Sequence, residues 1–284
     1  MNLFYRKNIK NLLKNERIRP LKQLGQNFLV DDRAINKIVK AADINSGDLV
    51  LEIGPGLGVL TKELVKMAKK VVAVEKDRNM VKLLQENLKI KNLQIVNKDI
   101  LKFIPDFKNY KIVANLPFYL TAPVIRRFLE FVEVKPEEMV LVVQKEVGER
   151  ICTSPPKMSI LAVSVQTYAK TEIISYISKK SFWPEPKVDS AVIKITPCLT
   201  SYIYMYPEKR EIFFKIVKAG FSQPRKQLIN NLSKKLKLNK EIIGKWLLKN
   251  KIQPSQRAGT LSSKDWTNLT ETYLKGMTFT DLIT

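Results

Sequence analysis

The 284-residue sequence contains no histidine. An imidazole general base, a histidine-dependent triad and any zinc site needing a histidine ligand are therefore excluded, and most hydrolase mechanisms go with them. Cysteine is almost as scarce. Cys152 and Cys198 are the only two and lie far apart, so a disulfide framework, a CxxC redox pair and a cysteine-rich metal site are excluded too, and a reducing cytoplasm is the expected compartment. Long apolar runs are also missing. Stretches such as residues 139–143 fall far short of the roughly 20 residues of a membrane span. The basic segment 1–20 lacks an apolar core and a small-residue cleavage site, so neither a membrane nor a secretory signal is expected. Acidic residues are few: 27 against 50 lysines and arginines, a net charge of +23. Such an excess predicts a polyanionic partner.

From residue 49 onward, short Val/Ile-rich runs alternate with amphipathic helical patterns, the signature of an α/β domain with a mostly parallel sheet. Strands are expected over 49–53, 71–75, 93–96, 111–114 and 139–143, with helices over 60–68, 79–88 and 123–131. Two more runs, 172–177 and 191–196, flank a Pro-rich loop and are expected to close the sheet as an antiparallel pair. Beyond about residue 207 the apolar spacing becomes helical throughout, as with Ile212, Phe213, Ile216 and Val217. The expected organisation is a basic N-terminal arm over 1–24, a sheet domain over 25–200 and a small all-α domain over 201–284. Residues 209–257 hold fourteen basic side chains against Glu211 and Glu241, and the first 22 residues hold seven against Glu16. Basic charge at both ends reads as a nucleic-acid footprint, with Arg19, Lys22, Arg225 and Lys226 as its candidate contacts.

The strand at 49–53 runs directly into Gly54-Pro55-Gly56-Leu57-Gly58, where glycines let a backbone pass close to a ligand. The spacing is GxGxG, and Val59 stands where a dinucleotide fingerprint would carry its third glycine, so NAD binding is disfavoured. Glu52 lies inside the strand, and Glu75 ends the next strand 21 residues after Gly54, placed to accept bonds from both hydroxyls of a ribose. Asp99 follows the third strand at the same edge, where it can take an adenine amino group. A nucleoside-bearing cofactor is implied, and Glu52-x-Gly54-x-Gly56-x-Gly58, Glu75, Asp99 and Asn115 together resemble the S-adenosylmethionine site of class I, Rossmann-like methyltransferases.

Asn115-Leu116-Pro117-Phe118 follows the fourth strand, again at the ligand edge. An exocyclic adenine amine is a poor nucleophile because its lone pair is delocalised into the ring. It needs acceptors for its N–H bonds more than a strong base, and the Asn115 side-chain oxygen and Leu116 carbonyl can serve. Phe118 supplies a face for stacking the base, worth about 1 to 3 kcal/mol. The tetrapeptide resembles the N/D-P-P-F/Y motif of amino-directed nucleic-acid methyltransferases, with Leu for one proline.

Nearly the whole chain is similar to the ribosomal RNA adenine N6,N6-dimethyltransferases, the kasugamycin-sensitivity family acting on small-subunit rRNA. The similarity extends to Gln26-Asn27-Phe28-Leu29, to Gln144-Lys145-Glu146-Val147, to residues 182–190 beginning Phe182-Trp183-Pro184, and to Phe221-Ser222-Gln223-Pro224-Arg225-Lys226 with Asn230-Asn231-Leu232. The resemblance implies that Asn27, Leu29, Gly54, Glu75, Asp99 and Asn115 contact the cofactor, and that Phe182 packs on the adenine opposite Phe118. It also implies dimethylation of adenines, two adjacent ones, in a loop near the 3′ end of 16S rRNA within an assembling 30S subunit; a monomer without a metal is the simplest expectation. Two departures stand out: Phe118 replaces the usual Tyr, a habit of the macrolide-resistance enzymes acting on 23S rRNA, and Pro224 interrupts a doubled arginine. Action on 23S rRNA is thus one alternative, and a non-catalytic rRNA-binding assembly factor another.

Overall fold

The computed structural model describes residues 26–276 and contains two compact units, residues 26–149 with Lys170–Pro197, and Arg150–Ala169 with residues 198–276. The arm over 1–24, with Arg19 and Lys22, lies outside the described residues.

The first unit begins with β1 (Phe28–Leu29) and α1 (Asp32–Ala42), then alternates β2 (Leu49–Ile53), α2 (Val59–Met67), β3 (Lys70–Glu75), α3 (Arg78–Asn87), β4 (Leu93–Asn97) and β5 (Tyr110–Asn115). A 3₁₀ turn, Phe118–Leu120, leads into α4 (Thr121–Arg126), which widens into a π-turn over Arg127–Phe131 before β6 (Glu138–Gln144) and α5 (Lys145–Ile151). After the second unit's α6 (Ile160–Gln166), the chain returns through β7 (Ala169–Ile177), β8 (Phe182–Trp183) and β9 (Ser190–Pro197). Among the described residues the sheet order is β4-β3-β2-β5-β6-β9-β7; β2 to β6 run parallel, and β9 pairs antiparallel with β6. The order reverses direction between β2 and β5, so a crevice opens above their carboxyl ends.

The central strands are apolar on both faces because helices cover both. Val50, Leu51, Ile112, Val113, Met139 and Leu141 are fully buried, each such side chain contributing about 1.5 to 3 kcal/mol. Asp31 caps α1 by accepting from the Arg33 amide, and Asp77 caps α3 in the same way.

The second unit continues with α7 (Tyr202–Met205), α8 (Arg210–Gly220), α9 (Leu228–Leu236), α10 (Lys240–Lys249) and α11 (Ser263–Gly276). Its core centres on fully buried Trp266, whose ring lies 5.5 Å from that of Phe221. Only a glycine fits at 220, since a Cβ there would meet the Trp266 ring at 2.3 Å. The observed units differ from the continuous 25–200 stretch expected from sequence: Arg150–Ala169 and residues 198–200 group with the C-terminal helices. The Met158 amide donates to the Gly259 carbonyl at 2.9 Å, and Tyr168 packs its ring against Tyr204. This segment's apolar face, with Ala162, Val163 and Val165, is buried in a helical core, which local periodicity does not distinguish from burial against a sheet.

Candidate active site

The carboxyl ends of β2, β3, β4 and β5 converge on one cavity of about 200 Å³. Gly54 and Gly58 adopt positive φ of +68° and +73°, a left-handed conformation that favours glycine. Nothing lies within 4 Å of a Cβ built at Gly54, whereas one at Gly58 would strike Leu84 and Leu88 at 2.7 Å. The first glycine keeps space open for a ligand, and the last lets α2 start against α3. The Gly56 amide donates to Glu75 Oε2 at 3.3 Å and the Asp77 amide to Glu75 Oε1 at 2.9 Å. Burial raises the Glu75 pKa above the usual carboxylate range, and these two amides counter part of that effect.

Glu52 is 1% exposed and lines the same cavity, and its Oε2 has no hydrogen-bond partner. Burial, helped by the Glu75 charge, pushes its pKa up to about 8. Asp99 sits at the end of the third parallel strand with Lys76 Nζ 2.9 Å from Oδ2 and the Leu101 amide on Oδ1. Partial burial pulls Asp99 upward, but the lysine and the amide together leave it below its ordinary value.

On the other side of the cavity, Asn115 Nδ2 donates to the Asn27 carbonyl at 3.0 Å. A carbonyl can only accept, so the bond fixes the amide's orientation and leaves Oδ1 as an acceptor for the cavity that Asn115 lines. The Leu116 amide donates to Val142, while its carbonyl takes no hydrogen bond among the described residues. Pro117 opens the 3₁₀ turn that carries half-exposed Phe118, and Phe182, only 2% exposed, also lines the cavity. Neither ring packs on another aromatic ring among the described residues.

Phe182 reaches the site because β8 pairs antiparallel with β1: Leu29 faces Phe182 and Phe28 faces Trp183. The Ser181 hydroxyl donates to Asp31 Oδ2 at 2.6 Å, and the Val30 amide to the Ser181 carbonyl at 2.9 Å. This small ribbon brings Asn27 and Leu29 to the cavity wall.

The structure thus brings together Asn27, Leu29, Gly54, Gly56, Glu75, Asp99, Asn115, Leu116, Phe118 and Phe182. Arg225 and Lys226 are elsewhere, exposed on the turn between α8 and α9 in the second unit. Buried Asn231 holds that turn by donating from Nδ2 to the carbonyls of Gly220, at 2.7 Å, and Gln223, at 2.9 Å. Lys76, Lys98 and Tyr119 also line the cavity and had no place among the candidates. A lysine beside Glu75 and a tyrosine beside Phe118 were the available signals, but neither residue type marks a cofactor edge by itself.

Among the described residues no helix is long and apolar enough to cross a membrane, and no group of three acidic, cysteine or histidine side chains is disposed to hold a metal.

Residues 18–275 match the family model described as ribosomal RNA adenine dimethylase. The chain belongs to this family. Like other members it is an S-adenosylmethionine-dependent class I methyltransferase acting on ribosomal RNA. It is 40% identical over 270 residues to the ribosomal RNA small subunit methyltransferase A of Dehalococcoides mccartyi, covering 93% of this chain and 92% of that relative. The protein of the same name from Clostridioides difficile is also 40% identical, covering 87% of this chain and 89% of the relative. Among solved structures, a dimethyladenosine transferase from Plasmodium falciparum superposes with a TM-score of 0.74 at 25% identity, over 87% of this chain and 97% of that one. The 23S rRNA methyltransferase ErmE gives 0.72 at 25% identity, over 86% and 98%.

The cavity of this dimethylase fits its cofactor. Glu75 and Asp99 are acceptors at successive strand ends, Gly54 leaves room for close approach, and the unpartnered buried oxygen of Glu52 can satisfy one of the cofactor's donors.

Proposed function

We propose that this dimethylase transfers two methyl groups to the N6 nitrogen of adenines, two adjacent ones, in a loop near the 3′ end of 16S rRNA. What carries the reading is the Asn115 amide, turned by the Asn27 carbonyl so that its oxygen is left for the cavity that also holds Glu75 and Asp99. S-adenosylmethionine supplies an electrophilic methyl on its sulfonium. Glu75 accepts from ribose hydroxyls and Asp99 from an adenine amino group, with Asn27, Leu29, Gly54 and Gly56 completing the cofactor wall.

The extruded target adenine lies between Phe118 and Phe182, and its N–H bonds point to Asn115 Oδ1 and the Leu116 carbonyl. Two acceptors draw the nitrogen's lone pair out of the ring toward the incoming methyl, and alignment contributes most of the acceleration. The proton leaves to water after transfer, which suits a sequence without histidine. After the first transfer one N–H remains for the same acceptors, so the second transfer needs only space for a methyl.

Arg225 and Lys226, with Arg19 and Lys22, contact RNA phosphates. The substrate is rRNA in an assembling 30S subunit, and the protein acts as a metal-free monomer in the cytoplasm. Action on 23S rRNA is the second reading, favoured by Phe118 and the similarity to ErmE, while the 40% identity to small-subunit methyltransferases favours the first. Primer extension on both rRNAs after incubation with protein and cofactor separates them. Stops in 16S rRNA are expected, and stops confined to 23S rRNA would overturn the assignment.

A further inference from the structure

Tyr119 is the odd residue at the mouth of the cavity. It is 52% exposed although aromatic, and it follows Phe118 on the 3₁₀ turn Phe118–Leu120. Successive residues on such a turn point about 120° apart, so Phe118 and Tyr119, which both line the cavity, present their rings in different directions, Tyr119 at the solvent-exposed mouth. Two lysines line the same cavity. Lys76 is held at Asp99 with its side chain 62% exposed, and Lys98 is exposed with no ion pair among the described residues.

Extruding a base from a structured RNA leaves its neighbours unstacked, at a cost the protein can offset with another flat surface. An exposed ring one residue from the ring that faces the target, flanked by positive charge, has the chemistry of a nucleotide subsite: a π-face for the base and ammonium groups for its phosphate. We propose that Tyr119, with Lys98 and Lys76, forms a subsite for the nucleotide flanking the extruded adenine, the neighbouring base stacking on the Tyr119 ring and its phosphate lying against the lysines. This rests on the proposed function and adds a positioning residue to it. Stacking needs the ring and not the phenol, and only the nucleotide next to the target gains from it.

The test uses an rRNA hairpin in which primer extension has located the methylated adenine, with 2-aminopurine placed on its 5′ or its 3′ side. Binding is measured without cofactor. The wild-type protein is expected to quench the probe on one side, Tyr119→Phe to retain the quench, and Tyr119→Ala to lose it while its Kd for RNA rises about 5-fold to 150-fold, the span of a base–aromatic stack. An abasic flanking nucleotide should weaken wild-type binding by a similar factor and Tyr119→Ala binding little further. That non-additivity is something a merely structural tyrosine would not produce. Lys98→Gln should lower the slope of log Kd against log salt by about 0.7. Lys98 is the better probe because Lys76 also contacts Asp99. Equal quenching by wild type and Tyr119→Ala, or equal abasic penalties in both, would overturn the subsite while leaving the methylation reading intact. Absence of methylation by the wild-type protein would overturn that reading, and the subsite with it.

Discussion

The cavity at the strand ends and the basic turn between α8 and α9 both carry residues proposed to meet RNA, yet they are built in opposite ways. In the cavity the acidic and amide groups are held by burial or by hydrogen bonds. Asn115 is oriented by Asn27, Glu75 is gripped by two backbone amides, and Glu52 is buried with one oxygen unpartnered. On the turn the backbone is held from beneath by buried Asn231, while Arg225 and Lys226 extend into solvent. Bond-making depends on sub-ångström placement and therefore on burial, whereas phosphate attraction is long-ranged and tolerates mobile side chains.

Substitutions can break that comparison. The largest effect is expected at Asn115: Asn115→Ala should lower the methyl-transfer rate by about 10² to 10³-fold, the range for removing one group that stabilises developing charge, with RNA affinity little altered. Single-turnover kinetics beside filter binding checks this, and a near-normal rate would remove Asn115 from the mechanism.

Next comes the carboxyl group buried at Glu52. Its folded pKa is raised from 4.5 to about 8, so the folded chain keeps a proton that the unfolded chain releases. The associated stability is complete below about 4.5 and is lost as pH rises toward about 8. Glu52→Gln abolishes the dependence, so denaturation midpoints of wild type and variant should diverge with pH, by on the order of a few kcal/mol at the alkaline end. Parallel curves would show that Glu52 is solvated or paired.

The smallest effects belong to the basic turn. Arg225→Gln and Lys226→Gln should each reduce the salt slope of RNA binding by about 1 and raise KM similarly for all RNA sequences tested. A sequence-dependent loss would mean that the turn reads bases, which would erase the contrast with the cavity.

Much of the site was legible because its signals are local. Each strand, the glycine loop and the tetrapeptide after β5 are contiguous, and a parallel α/β sheet places all its carboxyl ends on one edge. What was illegible depended on distant partners. Nothing in Gln26 to Leu29 announces pairing with Phe182 and Trp183, nothing near Asp99 announces its ion pair with Lys76, and the helix at 160–166 carries an apolar stripe that does not say which core it enters. Tyr119 was hidden for a related reason: a tyrosine after Phe118 becomes informative only once its exposure at the cavity mouth is known.

Taken alone, the order of residues dictated the alternation of strands and helices, the acidic and amide groups along the ligand edge, the basic ends and the lack of any imidazole chemistry. Periodicity, motif spacing and composition are properties of neighbouring residues, which is why they could be read. Folding in three dimensions chose which way the Asn115 amide turns, which carboxylate stays protonated and which ring faces solvent. Those outcomes follow from hydrogen-bond partners and burial contributed by segments far away in the chain, and only packing brings such segments together.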